Sequence, residues 1–496
     1  MKKINLKSKI NFKEMLAGTR ENRKKNKTRL KHSSYSMAIT GIVIASVVIF
    51  NMAIQELPSK YREIDLSSQK LYTIGGQTEK ILKGLNKDVK MYFIAQEGTE
   101  SSEIQKLLEK YEEGSKYVQV EQKDPAVNPT FVSQYTEDNI SNNSVIVVCG
   151  DKSKVVNYSD MYETTIDYNT YSQQVTGFDG EGQLTSALNY VVSEDMPILY
   201  TLEGHEESTM SETMKETIQK ANIEIQSLNL LTEEMVPEDA ECLFVFAPAT
   251  DLTESEADKI IDYLEHGGKA LIVSNYTDKD MTNFNRVLEN YGVQAVDGIV
   301  FEGDSNHHVS QNPYYLLPNI ESNEITGELS SESRYVLTAL SQGIQKVEGA
   351  RDTLEINSIL KTSDSAYSKT DLENMETAEK EEGDISGPFD LGVMITEEIS
   401  EQKETQIVYF ASQSIFNDSM NAMVSGTNYE LLSASLGWMC NTDDVNVVSI
   451  PTKSYDTTSL IIPAADVHFW SIFVAAVIPI GVLMLGFGIW MKRRKQ

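Results

Sequence analysis

The chain has 496 residues, with 43 Lys and Arg against 74 Asp and Glu. That length supports two or three domains, each with its own core. A net charge of −31 would repel phosphate backbones, so a nucleic-acid partner is excluded.

The charge is unevenly spread. Residues 1–32 hold twelve Lys/Arg against Glu14 and Glu21, a local balance of +10, and Lys492, Arg493, Arg494 and Lys495 add +4. The remainder therefore carries −45 of the net −31. These basic ends (1–35 and 491–496) flank two apolar segments. Ser36–Ile54 contains no charge, and neither does Val467–Trp490, whose aromatics Phe469, Trp470 and Trp490 suit the two membrane interfaces. Both segments are expected to be membrane helices. The positive-inside rule then places both termini in the cytoplasm and Gln55–Asp466 outside. The first basic region is too long for a signal peptide, and no small-x-small cleavage pattern follows Ile54, so an uncleaved anchor is expected.

Residues 55–179 form an N-terminal extracytoplasmic region. Val89–Ala95 reads as a strand, Ile104, Leu107, Leu108 and Tyr111 as a helix face, and Val118–Gln122 as a second strand. Ser144–Cys149 and Lys154–Tyr158 pair as a hairpin around Gly150-Asp151. This β-α-β-hairpin order suggests a thioredoxin-like layer in shape only, without any Cys-x-x-Cys.

Residues 180–465 read as a central α/β domain. Pro197–Thr201, Cys242–Ala247 and Ala270–Ser274 are short apolar runs bounded by polar, Gly or Pro residues, as buried parallel strands are. Helical patterns lie between them: Leu184, Ala187, Leu188 and Val191, then Ala257, Ile260, Ile261 and Leu264. Thr209-x-x-Glu212 and Thr253-x-x-Glu256 are candidate capping boxes, and Gly267-Gly268 ends the second helix. Alternating strands and helices predict an open parallel sheet of Rossmann or flavodoxin-like type. A further helix ends at Gly292. Residues 362–386 are polar and acidic and read as a solvated or disordered excursion. Phe389–Thr396 and Gln406–Ala411 are strands, Asn428–Cys440 is a helix, and Val445–Ile450 and Ser459–Ile462 are final strands.

Few motifs carry chemistry. No G-x-x-x-x-G-K-[ST] occurs, so the chain is not an ATPase of that class; no G-x-G-x-x-G follows a strand, and there is no G-x-S-x-G elbow. Cys149, Cys242 and Cys440 form an odd, widely spaced set, unlike a disulfide framework or zinc site, and read as structural thiols. No metal site, cofactor or catalytic residue is expected. His307-His308 lacks a third ligand at useful spacing and reads as an exposed loop. The candidate ligand-binding residues are Gly204, His205 and Glu206, at the carboxyl edge of the first parallel strand, where open α/β sheets bind ligands. Alternatively, His205 shapes the turn into the next helix. In the second apolar segment, Gly481, Gly486 and Gly488 open a small-residue surface suited to helix packing; alternatively, they reflect only that glycine is common in membrane helices.

Five stretches, in order, resemble one family: DLSSQKLYTIGGQTEKILKGLNKDVKMYF, EGQLTSALNYVVSEDMPILYTLEGHEE, Pro237–Asn275 with LTESEADKIIDYLEHGGKALIV, GTNYELLSASLGWM, and IPIGVLMLGFGIWMKRRK. The chain resembles the GldG-type auxiliary component of an uncharacterised ABC transport system, known from bacterial gliding motility. The resemblance implies an extracytoplasmic domain working beside an ABC permease and a separate ATPase; the missing catalytic motifs make it a non-catalytic accessory subunit, and the two apolar segments put it in contact with membrane lipid. Many members sit beside or fuse to a multi-span permease, whereas this chain has only two candidate spans. Two other readings stay open: a surface module binding glycan or another ligand without a transporter, and a hydrolase with its site near His205.

Overall fold

The computed structural model describes residues 73–440 apart from 138, 168–171, 195, 311, 332–333, 373–374, 376 and 401–402, together with 42, 44–46, 450, 452–455, 472–481 and 483–484. The chain divides into a unit of Met1–Leu66 and one of Ser67–Gln496. In the first, only 42 and 44–46 are described, and they are helical. The two expected membrane helices fall largely outside the described residues, as do the expected strands at 445–450, save Ile450, and at 459–462. Among the described residues no helix is long and apolar enough to cross a membrane.

The second unit begins with an N-terminal layer. Helix α1 (Gly76–Gly84) leads to β1 (Val89–Ile94), α2 (Ser102–Gly114), β2 (Val118–Lys123) and a hairpin of β3 (Ser144–Cys149) and β4 (Lys152–Val156). The sheet order is β2-β1-β3-β4, with β1 parallel to β2 and antiparallel to β3. This is the β-α-β-hairpin order legible in the sequence, although the second hairpin strand starts two residues earlier than expected. A second hairpin, β5 (Tyr162–Asp167) and β6 (Ser172–Phe178), follows. Helix α3 (Gly180–Val192) packs Leu184, Ala187, Leu188 and Val191 into the core of this layer, beside Val89, Met91, Ile104 and Tyr111. The sequence pattern places α3 with the central domain, but its apolar face finds its partner in the β3-β4 hairpin that precedes it.

The central layer is built on β7 (Ile198–Leu202), α4 (Glu212–Lys220), β8 (Glu224–Leu228), β9 (Ala240–Phe246), α5 (Glu254–Glu265), β10 (Lys269–Val273) and α6 (Thr282–Asn290). Further along the chain come β11 (Leu354–Lys361), β12 (Asp390–Ser400), β13 (Lys403–Phe410) and α7 (Thr427–Cys440). Strands β8, β7, β9, β10 and β13 are neighbours in that order, and every adjacent pair is parallel. In chain order this is 2-1-3-4-5, the arrangement of flavodoxin-like doubly wound sheets. Beyond β13 the sheet turns antiparallel through β12 and β11. Helices cover both faces. Met214 and Ile218 of α4 and Leu431, Leu432 and Leu436 of α7 share one core with Leu199, Phe244 and Leu271. Ala257, Ile260 and Leu264 of α5 and Phe284 and Val287 of α6 share the other with Leu243, Val245 and Ile272. A strand covered on both faces has no polar side to show, which is why Cys242–Phe246 of β9 and Ala270–Val273 of β10 are unbroken apolar runs.

Three local expectations need correction. The Thr209 capping box does not form: α4 is capped by Ser211, whose hydroxyl accepts from the Met214 amide at 3.1 Å. Residues 362–386 are not a wholly solvated excursion. Tyr367–Lys369 pairs with Ile299–Phe301 and with Ile385–Ser386, and the Lys369 ammonium is buried between Glu381 and Asp384. The His307-His308 pair is half-buried; the His307 ring bonds the Leu317 carbonyl at 3.1 Å, and His308 lies in a short strand. Cys242 and Cys440 are free and buried, as structural thiols are, and Cys149 is free and half-buried. The adjoining Cys242 thiol and burial push the Cys440 thiol well up, so it stays protonated.

Candidate functional site

In a 2-1-3-4-5 sheet the connections from the first and third strands leave in opposite directions, opening a crevice at their carboxyl ends. Here that crevice lies between the segment after β7, Glu203–Ser208, and the segment after β9, Ala247–Leu252. Both are tightly shaped. Gly204 has φ +128°, a conformation open in practice to glycine only. The amides of Gly204 and His205 both donate to Glu207 Oε2, at 3.1 and 2.9 Å. The His205 carbonyl accepts from the amides of Ala249 and Thr250 at 2.9 and 3.1 Å, and the Ser208 amide donates to the Phe246 carbonyl at 2.9 Å. The two segments are thus sewn together by their backbones, and the crevice is filled by the chain itself.

The His205 side chain completes the seam. Its Nδ1 lies 3.1 Å from Glu207 Oε1 and its Nε2 lies 3.1 Å from Glu256 Oε2. The residue is 4% exposed, and Glu256 is 1% exposed. Glu256 stands in the first turn of α5. The same Oε2 accepts from the Thr253 amide at 2.9 Å and the Thr253 hydroxyl at 2.7 Å, closing the capping box expected there. One carboxylate therefore caps α5 and holds His205, while Glu256 Oε1 is buried with no hydrogen-bond partner.

Two carboxylates can accept only if both ring nitrogens donate, so the geometry calls for an imidazolium. The hydrogen bond to Glu207 raises the His205 pKa; burial opposes it, and Glu256 adds to the rise. Burial pushes the Glu207 and Glu256 carboxyls up, but hydrogen bonds from His205 and Thr253, together with the His205 charge, outweigh it and leave both below the usual range. A ring in this state has no lone pair to take a proton or bind a metal. Among the described residues no group of three His, Cys, Asp or Glu is placed to hold a metal ion. The nearby hydroxyl, Ser208 Oγ, bonds the Gln413 side chain rather than the imidazole.

The structure brings Gly204 and His205 together in this seam but turns Glu206 away. Glu206 is exposed, 3.8 Å from Lys279, while Glu207 reaches back to the ring. Two partners of the ring escape a reading by sequence. Glu207 is legible only as a nearby acid, and Glu256 lies 51 positions along the chain; its capping motif is the one signal of its place. Of the three glycines singled out in the second apolar segment, Gly481 has open space where a Cβ would stand. Gly486 and Gly488 lie outside the described residues.

A model of the family described as an ABC-type uncharacterized transport system matches residues 180–436, just over half of the chain. The chain belongs to this family. The matched segment spans α3, the whole parallel sheet and the His205 seam, and most of α7. A second model, for a domain of unknown function (DUF7088), matches residues 68–162, which include the β2-β1-β3-β4 sheet. No curated protein matches the chain. Solved structures with slight similarity include the mmIFT52 N-terminal domain, at 14% identity and TM-score 0.37, covering 50% of this chain and 98% of that one. A ThuA-like protein of Bacteroides uniformis gives 12% identity and TM-score 0.29, covering 51% and 95%. PurLQS of Thermotoga maritima gives 11% and 0.26, covering 49% and 100%. Similarity this slight bears no functional argument.

Proposed function

We propose that this family member is a non-catalytic accessory subunit of the GldG type, held in the cell membrane by two helices, with Gln55–Asp466 outside and both termini inside. It works beside a separately encoded ABC permease and its ATPase, presenting substrate or coupling permease motion to the envelope. The family match across 180–436 carries this reading. The filled crevice agrees with it, because the place where a doubly wound sheet would bind a ligand is occupied by His205 and its two carboxylates. A hydrolase centred on His205 is disfavoured for the same reason: its ring nitrogens are both engaged.

The membrane segments cannot themselves conduct a solute. Ser36–Ile54 and Ile472–Trp490 contain no ionisable residue, and transport pathways through a membrane usually need one. A permease must supply the pathway, and the small-residue surface at Gly481, Gly486 and Gly488 suits close helix contact with it. The test is to extract the intact chain in mild detergent and identify its companions. A permease and an ATPase are expected. Changing Gly481, Gly486 and Gly488 to Leu should remove both while the external domain stays folded. If no permease accompanies the unaltered chain, the transporter role fails and a surface ligand-binding module becomes the better reading. Hydrolysis of an ester, peptide or glycan that is lost in His205→Ala would instead establish an enzyme.

A further inference from the structure

The N-terminal and central layers have separate apolar cores. Leu184, Leu188 and Val191 of α3 belong to one, and Met214, Ile218 and Ile223 around α4 belong to the other. Where α3 meets α4, the junction is polar. Asp179, at the start of α3, is 6% exposed and pairs with Lys220 at the end of α4. The Asn222 side chain donates to the Ser186 carbonyl at 2.9 Å, and the Ser186 hydroxyl donates back to Asn222 at 3.2 Å. Gly182 leaves the passage through which the lysine crosses: a Cβ there would stand 2.4 Å from Lys220 Cε.

The chain passes from the N-terminal to the central layer between Val192 and Ile198, and after Cys440 of the central core it is next described at Ile450, packed against the N-terminal core. On its return it is tied down by charge. Lys220 also donates to the Ile450 carbonyl at 2.9 Å. Lys453 pairs with buried Glu181 at 2.7 Å and donates to the Thr73 carbonyl, while its backbone lies opposite Phe178 as an added edge strand. One lysine, Lys220, thus holds central layer, N-terminal layer and returning strap at a single point.

We propose that the junction between the two layers is a hinge, held shut by the buried Lys220–Asp179 pair and by the returning residues Ile450 and Lys453. The physical ground is the contrast between the layers and their seam. Each layer is held by apolar burial, whose core strands open only at a cost near that of global unfolding. The seam is held by a few polar pairs whose groups water can satisfy once they separate, and small polar interfaces between compact bodies are where relative motion is expected. Breaking a buried charge pair leaves an uncompensated buried charge, so loss of either partner favours the open, hydrated seam. A chain crossing beside such a lock is the anatomy of a hinge. Such a hinge would operate whether or not a transporter is the partner.

The test is hydrogen exchange on the full chain, unaltered and with Lys220→Met. Exchange is expected to rise about tenfold or more in peptides covering 178–189, 218–224 and 450–455. The core strands at 144–149 and 269–273 should keep their unaltered rates. Gly182→Ala serves as a second variant, because it pushes the lysine aside without removing its charge, and the same local pattern is expected. Spin labels at Asp151→Cys and Asp262→Cys, with Cys149→Ser, should report a broader spread of distances in either variant. A rise shared equally by both cores, or no change at the three seam peptides in both variants, overturns the hinge.

Discussion

His205 is useful to the protein because of what surrounds it. Its folded pKa is raised above the ordinary 6.5, so its contribution to stability is full below that value and is lost as pH rises through the folded pKa. Glu207 and Glu256 are lowered from 4.5, so theirs is present above that value and is lost as pH falls through the folded pKa values. The brace is therefore at full strength between roughly pH 4.5 and 6.5 and weakens above. Denaturant midpoints measured from pH 6 to 9 should fall more for the unaltered chain than for His205→Ala, and parallel curves would show that the ring carries no charge. At a fixed pH of 6, His205→Ala should cost about 1–3 kcal/mol, because it strands a buried carboxylate. Gly204→Ala tests the same turn through the backbone. A Cβ there has room, its nearest neighbour being Asn229 at 3.5 Å, so the expected loss of about 1–3 kcal/mol comes from φ +128° alone. An unchanged midpoint would mean that the turn relaxes freely.

Among the elements, α5 best shows one motif serving two ends. Thr253 and Glu256 form a capping box that could have been purely local. The tertiary fold gives Glu256 a second task, as acceptor for His205. Thr253→Ala should cost about 0.5–2 kcal/mol, the ordinary loss of a cap. Glu256→Ala should cost more, because it also frees an imidazole in a buried site. Combining Glu256→Ala with His205→Ala should cost less than the sum of the two, since the second change removes the orphan left by the first. Strict additivity in chemical denaturation would refute the shared role. At the C-terminal end of α5, the Gly267 and Gly268 amides turn back to the Leu264 and Tyr263 carbonyls at 2.9 and 3.0 Å, and φ at Gly267 is +81°. The Gly-Gly pair ends the helix, and Gly268 also makes room for the Tyr263 ring, which a Cβ there would meet at 2.5 Å.

For the whole molecule, the charge distribution makes the strongest statement. A chain with +10 and +4 at its ends and −45 between them is predicted to keep both ends in the cytoplasm. Protease added to intact protoplasts should destroy the external domain and spare tags at both termini; digestion of either tag would reverse the topology. The seam at Lys220 and Lys453 matters at this scale too. Lys453 reaches the Thr73 carbonyl and pairs with Glu181, so residues 73, 181 and 453 meet at one place.

The sequence alone determined the kinds of elements and much of their order. Buried parallel strands announce themselves as short apolar runs, and caps and Gly-Gly stops are local chemistry, so β7, β9, β10 and α5 were legible before any fold was known. The β-α-β-hairpin order of the N-terminal layer was legible for the same reason. What depended on distant partners was not. The apolar face of α3 would suit either layer, and only packing against the β3-β4 hairpin decided which. Lys369 looked solvated until Glu381 and Asp384 enclosed it. His205 stood in the sequence beside Glu206 and Glu207 with nothing to choose between them. The turn's backbone aims Glu207 inward and Glu206 outward, and the return of the chain through β8 and β9 brings Glu256 to the other ring nitrogen. Spacing encodes which residues share a face of one helix or strand. Which faces and turns meet is set by burial and charge pairing across the whole chain, and that decided that His205 braces two loops of this protein.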